Sequence, residues 1–268
     1  MLFRSEERIN LNIGNVYIDQ GDYTKALEYY LNSLKVVQEL SDKQIEEKML
    51  LNIGNVYSEL GDYTKAMEYY ENSLKIAQEL GDKKGEETGL GNIGYTYYDL
   101  GDYTKALELC VNQLAHARTN GDWFMEGYTL SLIGQIYFEK QEFLRAYDSL
   151  KHATKILEQI DERPDDGLHS WLALVAMKLG NRNNATEELK KVEELFKDIP
   201  ESGDYSVCWN LSQTYSDLGN TAKAKEYLDK AYNEVISCSE KISDNAMKQS
   251  YLTNVKLNRE IVAAWKRK

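Results

Sequence analysis

Residues 11–40 read LNIGNVYIDQ GDYTKALEYY LNSLKVVQEL, and residues 51–80 read LNIGNVYSEL GDYTKAMEYY ENSLKIAQEL. The thirty aligned positions differ at seven: Ile18/Ser58, Asp19/Glu59, Gln20/Leu60, Leu27/Met67, Leu31/Glu71, Val36/Ile76 and Val37/Ala77. A period of 40 residues follows, and inside it runs a beat of 20. Gly21-Asp22, Ser41-Asp42, Gly61-Asp62, Gly81-Asp82, Gly101-Asp102 and Gly121-Asp122 mark that beat. Glycine accepts the left-handed conformation that ends a helix, and aspartate caps the start of the next. Each 40-residue unit is therefore expected to be two helices, A and B, with a turn between them.

Apolar spacing between the turns is helical throughout, with no period-2 stretch that would argue for strands. Helix A carries Ile13, Gly14 and Tyr17, which return as Ile53, Gly54, Tyr57, as Ile93, Gly94, Tyr97 and as Ile133, Gly134, Tyr137. Helix B carries Ala26, which returns as Ala66, Ala106 and Ala146. Two fainter copies follow, with Leu172, Ala173, Ala176, Gly180 and Ala185, then Leu211, Ser212, Tyr215, Gly219 and Ala224. Small residues at the glycine and alanine positions let A and B approach closely. Tyr30, Tyr70, Cys110, Leu150, Leu189 and Leu228 are expected to fill the space alongside.

This pattern resembles the tetratricopeptide repeat, whose helix A carries Leu-Gly-x-x-Tyr and whose helix B carries a buried alanine and an aromatic. The resemblance implies an all-α, right-handed superhelical solenoid of antiparallel helix pairs. Six repeats are expected, at about 5–40, 45–80, 85–120, 124–160, 165–198 and 204–238, making residues 1–240 one array and 241–268 a C-terminal capping segment. The proline that usually closes helix B is replaced by Gln38 and Gln78. Such longer repeats look like those of spindle-orienting adaptors, kinesin light chains and maltose-activator-type regulators.

Composition agrees with an array of helices. Only two prolines, Pro164 and Pro200, are present among 268 residues. The net charge of −12, from 44 acidic against 32 basic residues, disfavours contact with phosphate backbones, so no nucleic acid is expected. Three cysteines, Cys110, Cys208 and Cys238, make neither a disulfide framework nor a thiolate metal site and suit a reducing, cytoplasmic setting. No apolar run reaches membrane-span length, and the start lacks the apolar core of a signal peptide.

In a solenoid of this kind the A helices line the concave face. Carrying the family's groove positions across gives one series of Asn15, Asn55, Tyr95, Gln135 and Gln213, and another of Asn12, Asn52, Asn92 and Asn210. A carboxamide offers both donor and acceptor and can pair with any peptide bond, though it can equally bond to its own neighbours. Tyr95, Tyr98, Tyr128 and Phe138 add aromatic surface in repeats 3 and 4, either a pocket for a partner's apolar anchor or packing. Asp19, Glu59, Asp99, Glu139 and Asp217 recur just before the end of helix A, where the helix dipole disfavours an acid. They either form an acidic edge for a basic partner or pair with lysines such as Lys25, Lys65 or Lys105. The basic clamp by which some family members hold a carboxylate is missing, its positions being Leu11, Thr88 and Asn92.

No enzyme signal stands out. His116, His152 and His169 have no metal-ligand spacing, and no glycine-rich phosphate loop follows a strand. No catalytic residue, metal or cofactor is expected.

The chain opens directly in a helix A, which suggests a domain of a longer protein or an oligomeric contact. Ser243-Asp244 signals a helix start, and an amphipathic run to Trp265 is expected to cap repeat 6. Residues 251–261, YLTNVKLNREI, resemble the Phe-Leu-x-Asn-Val-x-x-Asn-Arg-Glu-Ile ending of large bacterial signalling ATPases, kinases and cyclases. The expected function is a non-enzymatic scaffold holding a peptide or extended protein segment, basic and with an apolar anchor. A regulatory arm of a larger signalling protein and a receptor for a short signalling peptide are the alternatives.

Overall fold

The structure is a computed structural model and describes residues 2–160, 166–196 and 204–267. Pro164 and Pro200, with the residues at the expected bounds of the fifth repeat, lie outside these. Fourteen helices and no strand occur among the described residues. They are α1 (Leu2–Asp19), α2 (Tyr23–Glu39), α3 (Lys43–Glu59), α4 (Tyr63–Leu80), α5 (Lys83–Asp99), α6 (Tyr103–Asn120) and α7 (Trp123–Glu139). The remainder are α8 (Phe143–Gln159), α9 (Asp166–Lys178), α10 (Arg182–Phe196), α11 (Tyr205–Asp217), α12 (Thr221–Lys241), α13 (Asn245–Thr253) and α14 (Lys256–Lys266).

The turns are built as their chemistry dictates. Asp22, Asp42, Asp62, Asp82 and Asp122 each accept a hydrogen bond from the backbone N–H three residues on, at 2.9–3.5 Å. Asn181 and Asn220 take the aspartate's part after Gly180 and Gly219, and two further turns lack the glycine. Ser41 and Gln141 hold the left-handed conformation at φ 55° and 62°, and Glu142, in the aspartate's place, makes no capping bond. It pairs instead with Arg145 at 2.7 Å.

The described residues form two compact units. In the first, up to Asp102 together with Ile236–Arg259, α1 packs on α2 and α3 on α4, and α5 follows on α4. Ala26, Ala66, Ile53 and Val56 are completely buried. A Cβ on Gly54 would come within 2.5 Å of Cε1 of Tyr70, and one on Gly14 would strike Tyr30 likewise. The glycine is thus the space into which helix B's tyrosine fits.

In the second unit, Tyr103–Val235 with the residues from Glu260 on, α7 packs on α8, α9 on α10, and α9 on α11. Leu150 takes the tyrosine's place, and a Cβ on Gly134 would lie 2.6 Å from its Cγ. Leu130, Ala146, Ala153, Leu168, Leu172 and Val175 complete this core. Tyr215 and Tyr227 stack 5.7 Å apart between α11 and α12.

Candidate functional site

In the first unit the expected groove asparagines form a bonded ladder. The Tyr30 hydroxyl donates to Asn15 Oδ1 at 2.6 Å, and Asn52 Nδ2 donates to the same oxygen at 3.3 Å. One repeat on, the Tyr70 hydroxyl donates to Asn55 Oδ1 at 2.9 Å and Asn92 Nδ2 joins at 2.9 Å. Each carboxamide oxygen therefore satisfies a tyrosine of its own pair and ties the next A helix to it. Asn15 and Asn12 are exposed while Asn52, Asn55 and Asn92 are half-buried. The carboxamide oxygens of Asn15 and Asn55 thus each accept two hydrogen bonds. Burial pushes the Tyr30 hydroxyl up to about 12, so it stays a donor at any working pH.

The ladder changes where helix B loses its tyrosine. Cys110 and Leu150 stand in that position, and Tyr95 and Gln135 stand opposite in sequence register. Gln135 Nε2 donates to Ser131 Oγ at 3.4 Å, within its own helix. Gln213 is half-buried, and Asn210 is buried with its Nδ2 on Ser170 Oγ at 3.1 Å, a link between α9 and α11. Asn210 is thus a packing residue.

The four aromatic candidates divide between the units. Tyr95 and Tyr98 belong to the first, on α5, with ring centroids 5.7 Å apart. Tyr128 belongs to the second and is 47% exposed. Phe138 is no surface ring: it lies 5.6 Å from Phe143 and 5.2 Å, edge-on, from Trp171, against the core of its unit. A residue absent from the expected set joins Tyr128. Phe124, 55% exposed, sits four residues before it, and with Ser131 and Gln135 the two make one row along α7.

The acidic positions meet different fates. Lys25 and Lys65 are taken by the capping Asp22 and Asp62, at 2.8 and 2.9 Å, and lie over the Tyr17 and Tyr57 rings. Asp99 is instead faced by Glu59 and by Lys256 of α14. Burial, then the Glu59 carboxylate, push its carboxyl up to about 7, and the Lys256 ammonium offsets part of this. In the second unit Glu139 accepts from the Tyr103 hydroxyl at 3.4 Å and Asp217 pairs with Lys178 at 2.7 Å. Asp19 is exposed.

His169 is buried, with Nδ1 on the Glu188 carboxylate at 2.6 Å, and burial pushes the Cys110 thiol up to about 12. Among the described residues no group of three His, Cys, Asp or Glu is placed to hold a metal ion. No helix there is long and apolar enough to cross a membrane.

A tetratricopeptide repeat family model matches residues 5–79, 45–109 and 85–159 in overlapping spans, and a second tetratricopeptide repeat model matches 205–233. No curated protein matches the sequence significantly. Among solved structures, a Rap protein complexed with Competence and Sporulation Factor is similar at TM-score 0.73 and 16% identity, over 98% of this chain and 76% of that one. The Rap conjugation gene regulator of plasmid pLS20 in complex with the Phr* peptide gives 0.73 and 14%, over 97% and 75%. The apo quorum sensor NprR from B. thuringiensis gives 0.69 and 17%, over 99% and 76%. At these identities the likeness is one of fold.

Proposed function

We propose that this chain, which belongs to the tetratricopeptide repeat family, is a non-enzymatic scaffold that holds an extended peptide or protein segment along its A helices. The observation that carries the reading is the row on α7, where Phe124 and Tyr128 are half exposed beside Ser131 and Gln135. Aromatic rings supply contact area at low entropic cost, and adjacent hydroxyl and carboxamide groups pair with peptide bonds. The first unit, taken by itself, offers amide donors at Asn15 and Asn55 on α1 and α3. An apolar anchor for the aromatic row and basic flanking residues suit a surface of net charge −12.

A short signalling peptide is the form of ligand we favour, one neighbour in fold being in complex with the Phr* peptide. Selection from a displayed library of ten-residue peptides, followed by calorimetric titration of the winners, tests the reading. Tyr128→Ala with Gln135→Ala is expected to weaken binding at least tenfold while the thermal midpoint moves by only a few degrees. Equal affinity for wild type and variant removes α7 from the site.

A further inference from the structure

Asparagine is followed by glycine once in the chain, at Asn120-Gly121. The pair falls in the turn between α6 and α7, inside the second unit. Nine turns among the described residues carry a left-handed residue, and six of them have leucine just before it. Asn120, the last residue of α6, stands in that leucine's place and is exposed, as is Gly121. A Cβ on Gly121, whose φ is +68°, would meet nothing within 4 Å.

An asparagine so placed carries an electrophile beside a nucleophile. Its Cγ is one five-membered ring closure from the nitrogen of the next residue, and glycine leaves that nitrogen unshielded by any side chain. A firm hydrogen bond on the N–H ordinarily holds the nitrogen back. In the other eight turns the corresponding N–H donates to the carbonyl three residues earlier at 2.8–3.2 Å, whereas the Gly121 N–H reaches that of Arg118 at 3.4 Å, beyond the usual range. Ring closure needs rotation about the Asn120 Cα–C bond. At the last residue of a helix this disturbs the Gly121 bond and that of Asp122 N–H to the Ala117 carbonyl, and no backbone bond inside α6. The other asparagines are placed differently. Asn181 and Asn220 precede Arg182 and Thr221, Asn254 precedes the β-branched Val255, and the rest lie within helices that fix the same rotation.

We propose that Asn120-Gly121 is a self-modifying site, at which the folded protein converts Asn120 to isoaspartate and aspartate through a cyclic imide. The Gly121 nitrogen gives its proton to solvent base and attacks Asn120 Cγ. The new C–N bond replaces the bond to the carboxamide nitrogen, which takes a proton from water and leaves as ammonia. Water then adds to one of the two imide carbonyls. Addition at Cγ restores the ordinary main chain with aspartate at position 120. Addition at the Asn120 carbonyl carbon leaves the main chain running through Cβ and Cγ, one methylene longer, with a carboxylate on Cα. Either product sets a negative charge at the C-terminus of α6, where the helix dipole disfavours it, two residues before the Asp122 cap of α7. The proposal is independent of the peptide-binding reading, since it needs only the geometry of one turn.

The full chain, held for weeks in warm, mildly alkaline buffer, tests it. Samples are digested at low pH and their peptides weighed, and isoaspartate in the intact chain is read by carboxyl methylation with labelled S-adenosylmethionine and a protein-isoaspartate methyltransferase. The same chain unfolded in guanidinium chloride supplies the reference rate. Asn120 is expected to convert at least tenfold faster than any other asparagine of the folded chain, within tenfold of its own unfolded rate, and with isoaspartate among the products. Asn120→Leu, which restores the residue of the other turns, should remove the methyl label. A folded rate more than tenfold below the unfolded one, faster conversion at another asparagine, aspartate without isoaspartate, or a label that survives Asn120→Leu overturns the proposal.

Discussion

The helix pair α3–α4 and the pair α7–α8 share one backbone plan and pack it with different chemistry. In the first, the Tyr70 ring fills the space over Gly54 and its hydroxyl needs an acceptor, which Asn55 provides. In the second, Leu150 fills the space over Gly134, nothing needs an acceptor, and Gln135 bonds within its own helix. The asparagine on helix A is therefore the counterpart of the tyrosine on helix B. A helix A position occupied for internal reasons in one pair is released from that duty in the other, and there Phe124 and Tyr128 stand exposed.

The largest effect expected from breaking this contrast is steric. Gly54→Ala drives a methyl into a ring that cannot bend and should cost about 3 kcal/mol, whereas Gly134→Ala meets a leucine that can rotate and should cost about 1 kcal/mol. Urea midpoints of the two variants compare them directly; equal losses would mean that ring and leucine are equally confined. Next comes the hydrogen bond. Tyr70→Phe should cost about 1 kcal/mol. Because Asn55 then keeps only Asn92, Asn55→Ala should cost less in the Tyr70→Phe background than in wild type. A double-mutant cycle with no coupling would separate the two residues.

A third contrast concerns acids at the same register. Asp99 is half-buried beside Glu59, with its carboxyl raised to about 7, above its unfolded value. The native state therefore holds that proton more tightly, and stability gained on protonation is lost as pH rises through 7. Asp99→Asn should be more stable than wild type at pH 8, by on the order of 1 kcal/mol, with the difference fading toward pH 5. Thermal melts across pH 5–8 check the slope. Asp217, exposed and paired with Lys178, should lose at most about 0.5 kcal/mol on substitution by Asn. One change is a gain: Gln141→Gly relieves a left-handed glutamine and should add a few tenths of a kcal/mol, about 0.3, to the α7–α8 pair, read as a rise in thermal midpoint.

The fold was legible because its determinants recur in register: glycine at the A–B crossing, alanine opposite, aspartate at each helix start. The site was legible only in part. Asparagines 15 and 55 could be placed on one series, but their partners are tyrosines 15 residues away, a spacing no single helix face displays. Phe138 holds the position of Tyr98 one repeat on and differs in having Phe143 and Trp171 against it. Phe124 carried a usable signal, since Lys84 and Gln44 hold its position in earlier repeats and an aromatic there breaks the polar pattern. The neighbour of Asp99 was not legible at all, because Lys256 stands more than 150 positions later and outside the repeat.

That long reach also governs when the first unit can be finished. Nearly every other contact in the repeats joins residues within about one period, and such contacts form quickly and in order as a chain emerges. The bonds from Lys241 to Gln20 and from Ser243 to Thr24 span 221 and 219 positions. Loop closure over such a distance is only logarithmically costlier, but it must wait for residues 236–259 to be made. During synthesis α1–α5 therefore stand assembled with their turn edge bare, and the last act of folding is to cover the first part of the chain to have folded.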